Sequence, residues 1–417
     1  MDRFRIEGGV PLHGTVTVGG AKNAALPLLA AMILTPQRCR LRGLPHLHDI
    51  VTMRRLLEHL GVHVAEDPDE GWTIRAEAIA RTEAPYEIVK TMRASSMILG
   101  PLLARAGRAR VALPGGCAIG ARPMDLHLKA FAAMGAVLRI EEGYIDAAAE
   151  RLRGADITFD IVTVTGTENV MMAAALAEGR TILRNAAREP EVVALAECLT
   201  GMGARIAGAG TDVITIDGVE GLHGTDTTAI PDRIEAGTFL IAGAMTGGDV
   251  TVRHCPMAYL ESLHAKLLAA GARVSVTDSA ARVVGPARLG SADIITAPFP
   301  GFATDLQAQW MAAMTTADGA STIAETIFEN RFMHVAELRR MGADITVEGH
   351  TAVVRPVPHL SGAPVMATDL RASASLVLAA LAAKGTSEIQ RVYHIDRGYE
   401  RIEVKLAGLG ARIIRSG

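Results

Sequence analysis

The segment Leu113-Pro114-Gly115-Gly116-Cys117-Ala118-Ile119-Gly120-Ala121-Arg122-Pro123 sets one thiol among three glycines and two prolines. Such a run supports neither helix nor strand, so it reads as a shaped loop on which the Cys117 sulfur can reach a ligand. Arg122 beside it favours the thiolate and offers a charge to an anion, the surroundings a reactive cysteine needs. A structural Gly-rich turn remains the competing reading. A second group, Gly19-Gly20-Ala21-Lys22-Asn23, opens an apolar helix. Helix N–H groups together with the Lys22 ammonium suit a phosphate or carboxylate, and the alternative is an ordinary helix start with a solvated lysine. The full phosphate-loop pattern is missing, so nucleoside triphosphate binding is not supported. A third group pairs acids and bases: Thr304-Asp305, Asn330-Arg331, Asp369-Leu370-Arg371 and Asp396-Arg397. Taken singly these are ordinary solvated pairs. Asp369-Leu370-Arg371 stands apart because it opens a buried apolar helix, the place that Lys22-Asn23 occupies elsewhere.

The elements that position these groups form a repeat. One phrase, an amphipathic helix, a Gly and then an alternating apolar run, recurs at Leu60-Gly61-Val62, Met134-Gly135-Ala136, Met202-Gly203-Ala204, Ala270-Gly271-Ala272, Met341-Gly342-Ala343 and Leu409-Gly410-Ala411. The glycines predict left-handed helix stops followed by strands. Within Val192 to Ile206, for instance, Val193, Leu195, Ala196 and Leu199 keep helical spacing up to Gly203. Each unit also carries an earlier Ala/Leu/Met-rich helix, as in 170–177, 239–245 and 376–383, which should be buried on all sides. The second helix of each unit should lie nearer solvent. Six units of strand, helix, strand, helix and further strand predict two α/β globes of three copies each. The division expected is 22–230 as an N-terminal three-repeat domain carrying the Cys117 loop, and 1–21 plus 231–417 as a C-terminal one, with the active site in a cleft between them. The leftover strands Phe4-Arg5-Ile6 and Thr15-Val16-Thr17-Val18 are expected to complete the second globe. Corresponding helix N-termini then gather anion-binding groups.

Bulk properties agree with an enzyme that holds its anionic ligands in a local pocket. The chain has 417 residues, 49% of them hydrophobic and 21% charged, more than one ordinary core needs. A net charge of −3 gives no general pull toward nucleic acid or anionic lipid. Asp2, Arg3, Arg5 and Glu7 do not read as a secretory signal, and apolar runs such as Ala24 to Leu34 are too short to span a bilayer, so a cytoplasmic location is expected. Cys39, Cys198 and Cys255 lack metal-site spacing and read as buried apolar residues. A repeat scaffold without catalysis would call for an extended array with exposed apolar or basic faces. The balanced charge and the clustering of reactive residues in loops argue against it.

With these motifs in order, the sequence resembles the UDP-N-acetylglucosamine 1-carboxyvinyltransferases of the enolpyruvyl transferase family, over essentially the whole chain. Further stretches carry the likeness: Ala186-Ala187-Arg188-Glu189-Pro190-Glu191, the run from Phe328 to His334, and the run from Tyr393 to Arg401. The resemblance implies two inside-out α/β barrel domains, each of three βαβαββ repeats. It implies transfer of the enolpyruvyl group of phosphoenolpyruvate to the 3-hydroxyl of UDP-N-acetylglucosamine, with loss of phosphate, in the first committed step of peptidoglycan synthesis. That step serves cell-wall biogenesis, cell shape and division. No metal, organic cofactor, nucleic acid, membrane insertion or obligate protein partner is implied.

By matching position, Cys117 would protonate C3, could form a covalent adduct and would be the target of the epoxide fosfomycin. Asp305 would take the sugar hydroxyl proton, and Lys22, Arg122 and Arg397 would neutralise phosphate and carboxylate. Asn23, Arg331, Asp369 and Arg371 complete that set. For the sugar nucleotide the match points to Arg93, Arg122, Pro123, Met124, Asp125, Leu126, Thr304, Asp305 and Ile327. Where several members have Lys-Val-Ser-Val-Gly near the uridine, this chain has Ile161-Val162-Thr163-Val164-Thr165-Gly166, without the cation. The nearest alternative, 3-phosphoshikimate 1-carboxyvinyltransferase, shares the architecture but not the Cys loop.

Overall fold

A computed structural model of the chain describes residues 2–113 and 124–417, with the backbone alone at Arg93. Among them the chain falls into two compact units, one holding the residues up to Gly19 with Pro231–Gly417, the other running from Gly20 to Ile230. Each unit has its own apolar core.

Every repeat ends its second helix in the same way. Gly61, Gly135, Gly203, Gly271, Gly342 and Gly410 have φ of 94°, 91°, 99°, 86°, 93° and 91°. The next residue's N–H reaches five back in each case, from Val62 to Leu57, Ala136 to Phe131, Ala204 to Leu199, Ala272 to Leu267, Ala343 to Leu338 and Ala411 to Leu406, at 2.9 to 3.1 Å. This is the Schellman closure, which satisfies terminal carbonyls and needs a left-handed residue. The six acceptor residues are fully buried, so the turn also pins the strand that follows to the core.

The strands make six four-stranded sheets of one design: a parallel pair, then two antiparallel partners. In the unit from Gly20 to Ile230 the order of the second sheet is Glu83–Ala84, Arg108–Ala112, Tyr144–Ala148, Val137–Glu141. The third repeats it with Asp156–Thr158, Arg180–Arg184, Val213–Asp217 and Arg205–Ala207. The first sheet takes its outer parallel strand from the far end of the unit, Asp226–Thr228 beside Cys39–Arg42. In the other unit the leading segments do this work. His13–Thr17 runs parallel to Asp249–Arg253, and Arg3–Glu7 lies between Thr386–Gln390 and Arg412–Ser416. The three sheets of a unit remain separate among the described residues; no strand ladder joins them into a hydrogen-bonded barrel.

Inside the sheets lie the first helices of the repeats, labelled here α1 (Lys22–Ala31), α2 (Leu99–Ala106), α3 (Val164–Ala174), α4 (Arg233–Met245), α5 (Thr304–Met314) and α6 (Leu370–Ala382). The last is buried without a break from Arg371 to Leu381. Among the second helices, Glu261–Ala269 and Ile402–Gly408 each bury only two residues, as a solvent-facing helix should. Pro190–Gly201 departs from that expectation, since it packs on α1 and α3 and buries most of its length. No helix among the described residues is long and apolar enough to cross a membrane.

Glycine is required at Gly20 for closeness and not for flexibility. A Cβ there would stand 1.9 Å from the Gly43 carbonyl oxygen, which is backbone and has nowhere to go. At Gly342 a Cβ meets nothing within 4 Å, so only the left-handed conformation matters. Gly342→Ala should therefore cost about 1 to 2 kcal/mol, and Gly20→Ala about 3 kcal/mol or more through forced backbone movement. Urea midpoints of the two variants check the order; equal losses would refute it.

Candidate functional site

Helices that are apolar on every side can carry charge only at their ends, and several of the residues singled out from the sequence sit there. Lys22 and Asn23 open α1, Arg93 lies in the 3-10 turn Arg93–Ile98 that leads into α2, Thr304 and Asp305 open α5, and Asp369 and Arg371 open α6. The nucleotide segment Ile161–Gly166 likewise runs into α3, whose N-cap is Thr163, with its hydroxyl taking the Gly166 N–H at 3.2 Å. Cys117, Arg122 and Pro123 lie outside the described residues.

In the unit from Gly20 to Ile230, Lys22 is not the solvated lysine of the bland reading. It is buried, and its Nζ stands 3.0 Å from Asp49 Oδ2 in the first turn of the helix His48–His59. Asn23 beside it is exposed. Pro27, inside α1, has no N–H to give the Asn23 carbonyl. Met124 and Leu126 are buried, and Asp125, first residue of the helix Asp125–Ala133, is exposed. Next to them His127 Nδ1 is 3.1 Å from Asn169 Nδ2, which also donates to the Ser96 carbonyl. An amide nitrogen can only donate, so Nδ1 accepts and the ring carries its proton on Nε2, facing Thr165 Oγ1 at 3.5 Å.

A second acidic feature of this unit escaped the sequence reading. Glu168 lies fully buried in the first turns of α3, and burial, then the charges of Glu191 and Glu189, push its carboxyl well above the ordinary range. Its Oε1 has no hydrogen-bond partner among the described residues. The three other cysteines are buried; burial pushes the Cys198 and Cys255 thiols up to about 12, which makes them inert.

In the other unit, Asp305 is gripped from two sides. Arg331 Nη2 donates to Oδ1 at 2.8 Å, and Arg371 donates to Oδ2 from Nε at 3.1 Å and Nη2 at 2.9 Å. Both guanidinium groups are about 95% buried, whereas a quarter of the Asp305 side chain stays exposed. An aromatic ring backs each arginine: Phe328 lies 5.0 Å from the Arg331 carbon and Tyr399 5.5 Å from that of Arg371. Burial disfavours the charge on Arg371, but Asp305, Tyr399 and Asp232 outweigh it and hold the guanidinium more firmly protonated than usual. Its Nη1 is buried, with no hydrogen-bond partner among the described residues.

Glu325, which sequence motifs did not mark, organises the neighbourhood. Its Oε1 accepts from Thr296 Oγ1 at 3.0 Å and from the Ile327 and Phe328 N–H groups at 2.9 and 3.2 Å. Oε2 accepts from Thr304 Oγ1 at 2.8 Å. Ile327 and Thr304 are thus fixed by one carboxylate. Asp369 caps α6 through the Arg371 and Ala372 N–H groups, and Asp232 caps α4 in the same manner. The Asp232-to-Glu235 spacing, that of a capping box, was the available signal for Asp232. Arg397 ends the 3-10 turn Val392–Arg397, and its neighbour Asp396 is paired with Arg415 Nη1 at 2.9 Å.

A model of the family described as EPSP synthase (3-phosphoshikimate 1-carboxyvinyltransferase) matches residues 6–406. The chain belongs to this enolpyruvyl transferase family. Among its relatives in the family, a protein of Anaeromyxobacter sp. (strain Fw109-5) is 61% identical, covering 100% of this chain and 99% of its own. One of Magnetococcus marinus is 58% identical over the full length of both. Both are named UDP-N-acetylglucosamine 1-carboxyvinyltransferase. Of solved structures, the enolpyruvyl transferase NikO from Streptomyces tendae superposes with a TM-score of 0.89 at 26% identity, covering 100% of this chain and 99% of its own. An EPSP synthase from Acinetobacter baumannii superposes at 0.79 and 18% identity over the whole of both chains, a likeness of fold alone. The enolpyruvyl transferase architecture implied by the resemblance is the one these neighbours share.

Two outcomes follow from the buried carboxylates. A carboxyl whose folded value is raised binds more protons folded than unfolded, so its contribution is intact below the ordinary carboxylate range and is lost as pH rises above it. Glu168→Gln should therefore match the parent in thermal midpoint near pH 4 and exceed it as pH rises, by roughly 1.4 kcal/mol per pH unit until the folded value is reached; a variant less stable at pH 8 than at pH 4 relative to the parent would contradict this. Glu325→Ala, which strands four donors, should cost about 3 kcal/mol or more in urea unfolding.

Proposed function

We infer that this chain transfers the enolpyruvyl group of phosphoenolpyruvate to the 3-hydroxyl of UDP-N-acetylglucosamine and releases phosphate by addition and elimination. What carries the acceptor assignment is the 61% identity, from end to end, to a relative bearing that name, set against 18% to an EPSP synthase of the same fold. In the addition, the sugar O3 bonds to C2, its proton leaves to a base, and C3 receives a proton. In the elimination, C3 gives a proton back and the C2–O bond to phosphate breaks, which restores the double bond. The reaction is the first committed step of peptidoglycan synthesis, and a cytoplasmic location goes with it.

Asp305 is the base we assign to O3. Two arginines hold its carboxylate from both sides, and a quarter of the side chain stays exposed toward a ligand. The grip holds the carboxylate in one orientation, which shortens the search for the reactive geometry. Cys117 is assigned to protonate C3, with nucleophilic side chemistry at C2. Lys22, Arg122 and Arg397 are assigned to the phosphate and carboxylate of phosphoenolpyruvate, with Asn23 and Asp369 beside them. Arg371 Nη1, which has no hydrogen-bond partner among the described residues, suits one further anionic oxygen. Arg93, Pro123, Met124, Asp125, Leu126, Thr304 and Ile327 are assigned to the sugar nucleotide, and Arg331 to orienting Asp305 and Thr304. Without a lysine at Ile161, the helix N-terminus at Thr163 is left as the positive feature of that segment.

Phosphate release from phosphoenolpyruvate, measured with UDP-N-acetylglucosamine and in parallel with shikimate 3-phosphate, tests the reading. Release with the sugar nucleotide alone is expected, and release with the shikimate compound alone overturns the acceptor. Cys117→Asp should keep part of the activity, since a carboxyl can still donate a proton, and should lose inactivation by fosfomycin. A Cys117→Asp protein that remains sensitive would refute the role given to the thiol.

A further inference from the structure

Tyr399 lies outside the set of residues assigned above, yet its hydroxyl is the meeting point of the inner helices of its unit. The side chain is 1% exposed, and Oη stands 2.9 Å from Thr238 Oγ1 on α4 and 3.1 Å from Gln309 Nε2 on α5. Thr238 gives its one hydroxyl proton to the Ile234 carbonyl at 2.8 Å, so toward Tyr399 it can only accept. The phenol therefore donates to Thr238, and Gln309 Nε2 faces both hydroxyl oxygens, Tyr399 Oη at 3.1 Å and Thr238 Oγ1 at 3.2 Å. The same Gln309 nitrogen donates to the Asp305 carbonyl at 2.9 Å, which ties the phenol to the backbone of Asp305. The face of the ring meanwhile supports Arg371 at the start of α6.

We propose that Tyr399 is a positioning residue that fixes Asp305 in its reactive orientation by two routes, through Gln309 to the Asp305 backbone and through Arg371 to the Asp305 carboxylate. The inference rests on the reading of Asp305 as the base. The second turns of α4 and α5, through Thr238 and Gln309, and the first turn of α6, through Arg371, converge on one buried phenol, so a shift of any of them moves the carboxylate. Charged groups that face Asp305 and Arg371 include Arg331, Asp232 and, through Thr304, Glu325. The Arg371 guanidinium also acts on the phenol oxygen directly, so Tyr399→Phe removes that contact together with the bonds to Thr238 and Gln309. It keeps the ring and its volume and removes one oxygen.

The test is steady-state phosphate release with UDP-N-acetylglucosamine for Tyr399→Phe, Thr238→Val, Asp305→Asn and the double variant Tyr399→Phe/Asp305→Asn, with thermal midpoints measured alongside. The expected result is a fall in kcat of roughly tenfold in Tyr399→Phe and in Thr238→Val, with KM for the sugar nucleotide changed less than about twofold, the pattern of a displaced reacting group. The double variant should be no slower than Asp305→Asn alone, because the phenol acts only through that carboxylate. Tyr399→Phe with unchanged kcat and a lowered thermal midpoint would show a merely structural residue and overturn the inference. So would an additive loss in the double variant. Should Asp305→Asn itself leave kcat intact, the assignment of the base fails first, an outcome distinct from a silent Tyr399→Phe in a protein that needs Asp305.

Discussion

A helix buried on all its sides leaves chemistry nowhere to go but its ends, and the arrangement of this chain follows from that constraint. The inner helices satisfy their own backbone along their length, but the first turn of each presents N–H groups with no partner in the helix. Those groups are answered by Asp232 on α4, Asp369 on α6 and Thr163 on α3. Where no side-chain cap is present, as on α1 and α5, the first turn carries Lys22 or Asp305. Polar side chains that a globular core would reject are thus collected at the helix starts. A repeat that brings helix starts together therefore gathers charge without breaking a core.

The price of such gathering is visible around Asp305. Two guanidinium groups about 95% buried would be very unfavourable alone, since a charge taken out of water without compensation costs several kcal/mol. Here one carboxylate serves both, and each cation also faces a ring. Removing the acid would leave two buried like charges side by side, so the carboxylate is a structural element as much as a reactive one. Lys22 and Asp49 repeat the bargain on a smaller scale in the other unit.

Much of this was legible in the sequence because it is local. Gly61 and its five counterparts announce a left-handed helix stop within a few residues, and the structure places all of them at positive φ with the same closing bond. Asp369-Leu370-Arg371 announces a helix start for the same reason. What escaped notice is nonlocal. Asp49 lies 27 residues from Lys22, Glu325 gathers Thr296 from 29 residues away, and Tyr399 meets Thr238 across 161. No periodicity marks a carboxylate whose purpose is to accept hydrogen bonds from a distant stretch of its own repeat. The burial of Pro190–Gly201 was missed for a similar reason, because its charged residues suggested a wet face while Glu191 turns inward. At Gly20 the sequence shows the glycine but not its cause, the Gly43 carbonyl across the turn that forbids a side chain.

The longest-range pairing bears on the site as well. Arg3–Glu7 is an interior strand of a sheet whose other members come from 364–416, with Phe4 and Ile6 fully buried in it. Closing a loop of that length costs entropy only logarithmically, so the pairing is thermodynamically cheap, but it can form only when the last residues of the repeat are present. Arg415, on the final strand, lies over Phe4 at 5.0 Å and pairs with Asp396, the residue before Arg397. The two ends of the chain therefore brace the turn that carries Arg397. A sixth repeat whose sheet lacked its borrowed strand would leave Arg415 without its ring and Asp396 without a fixed partner, and the turn would be free to move. Completion of the fold and placement of that arginine are one event.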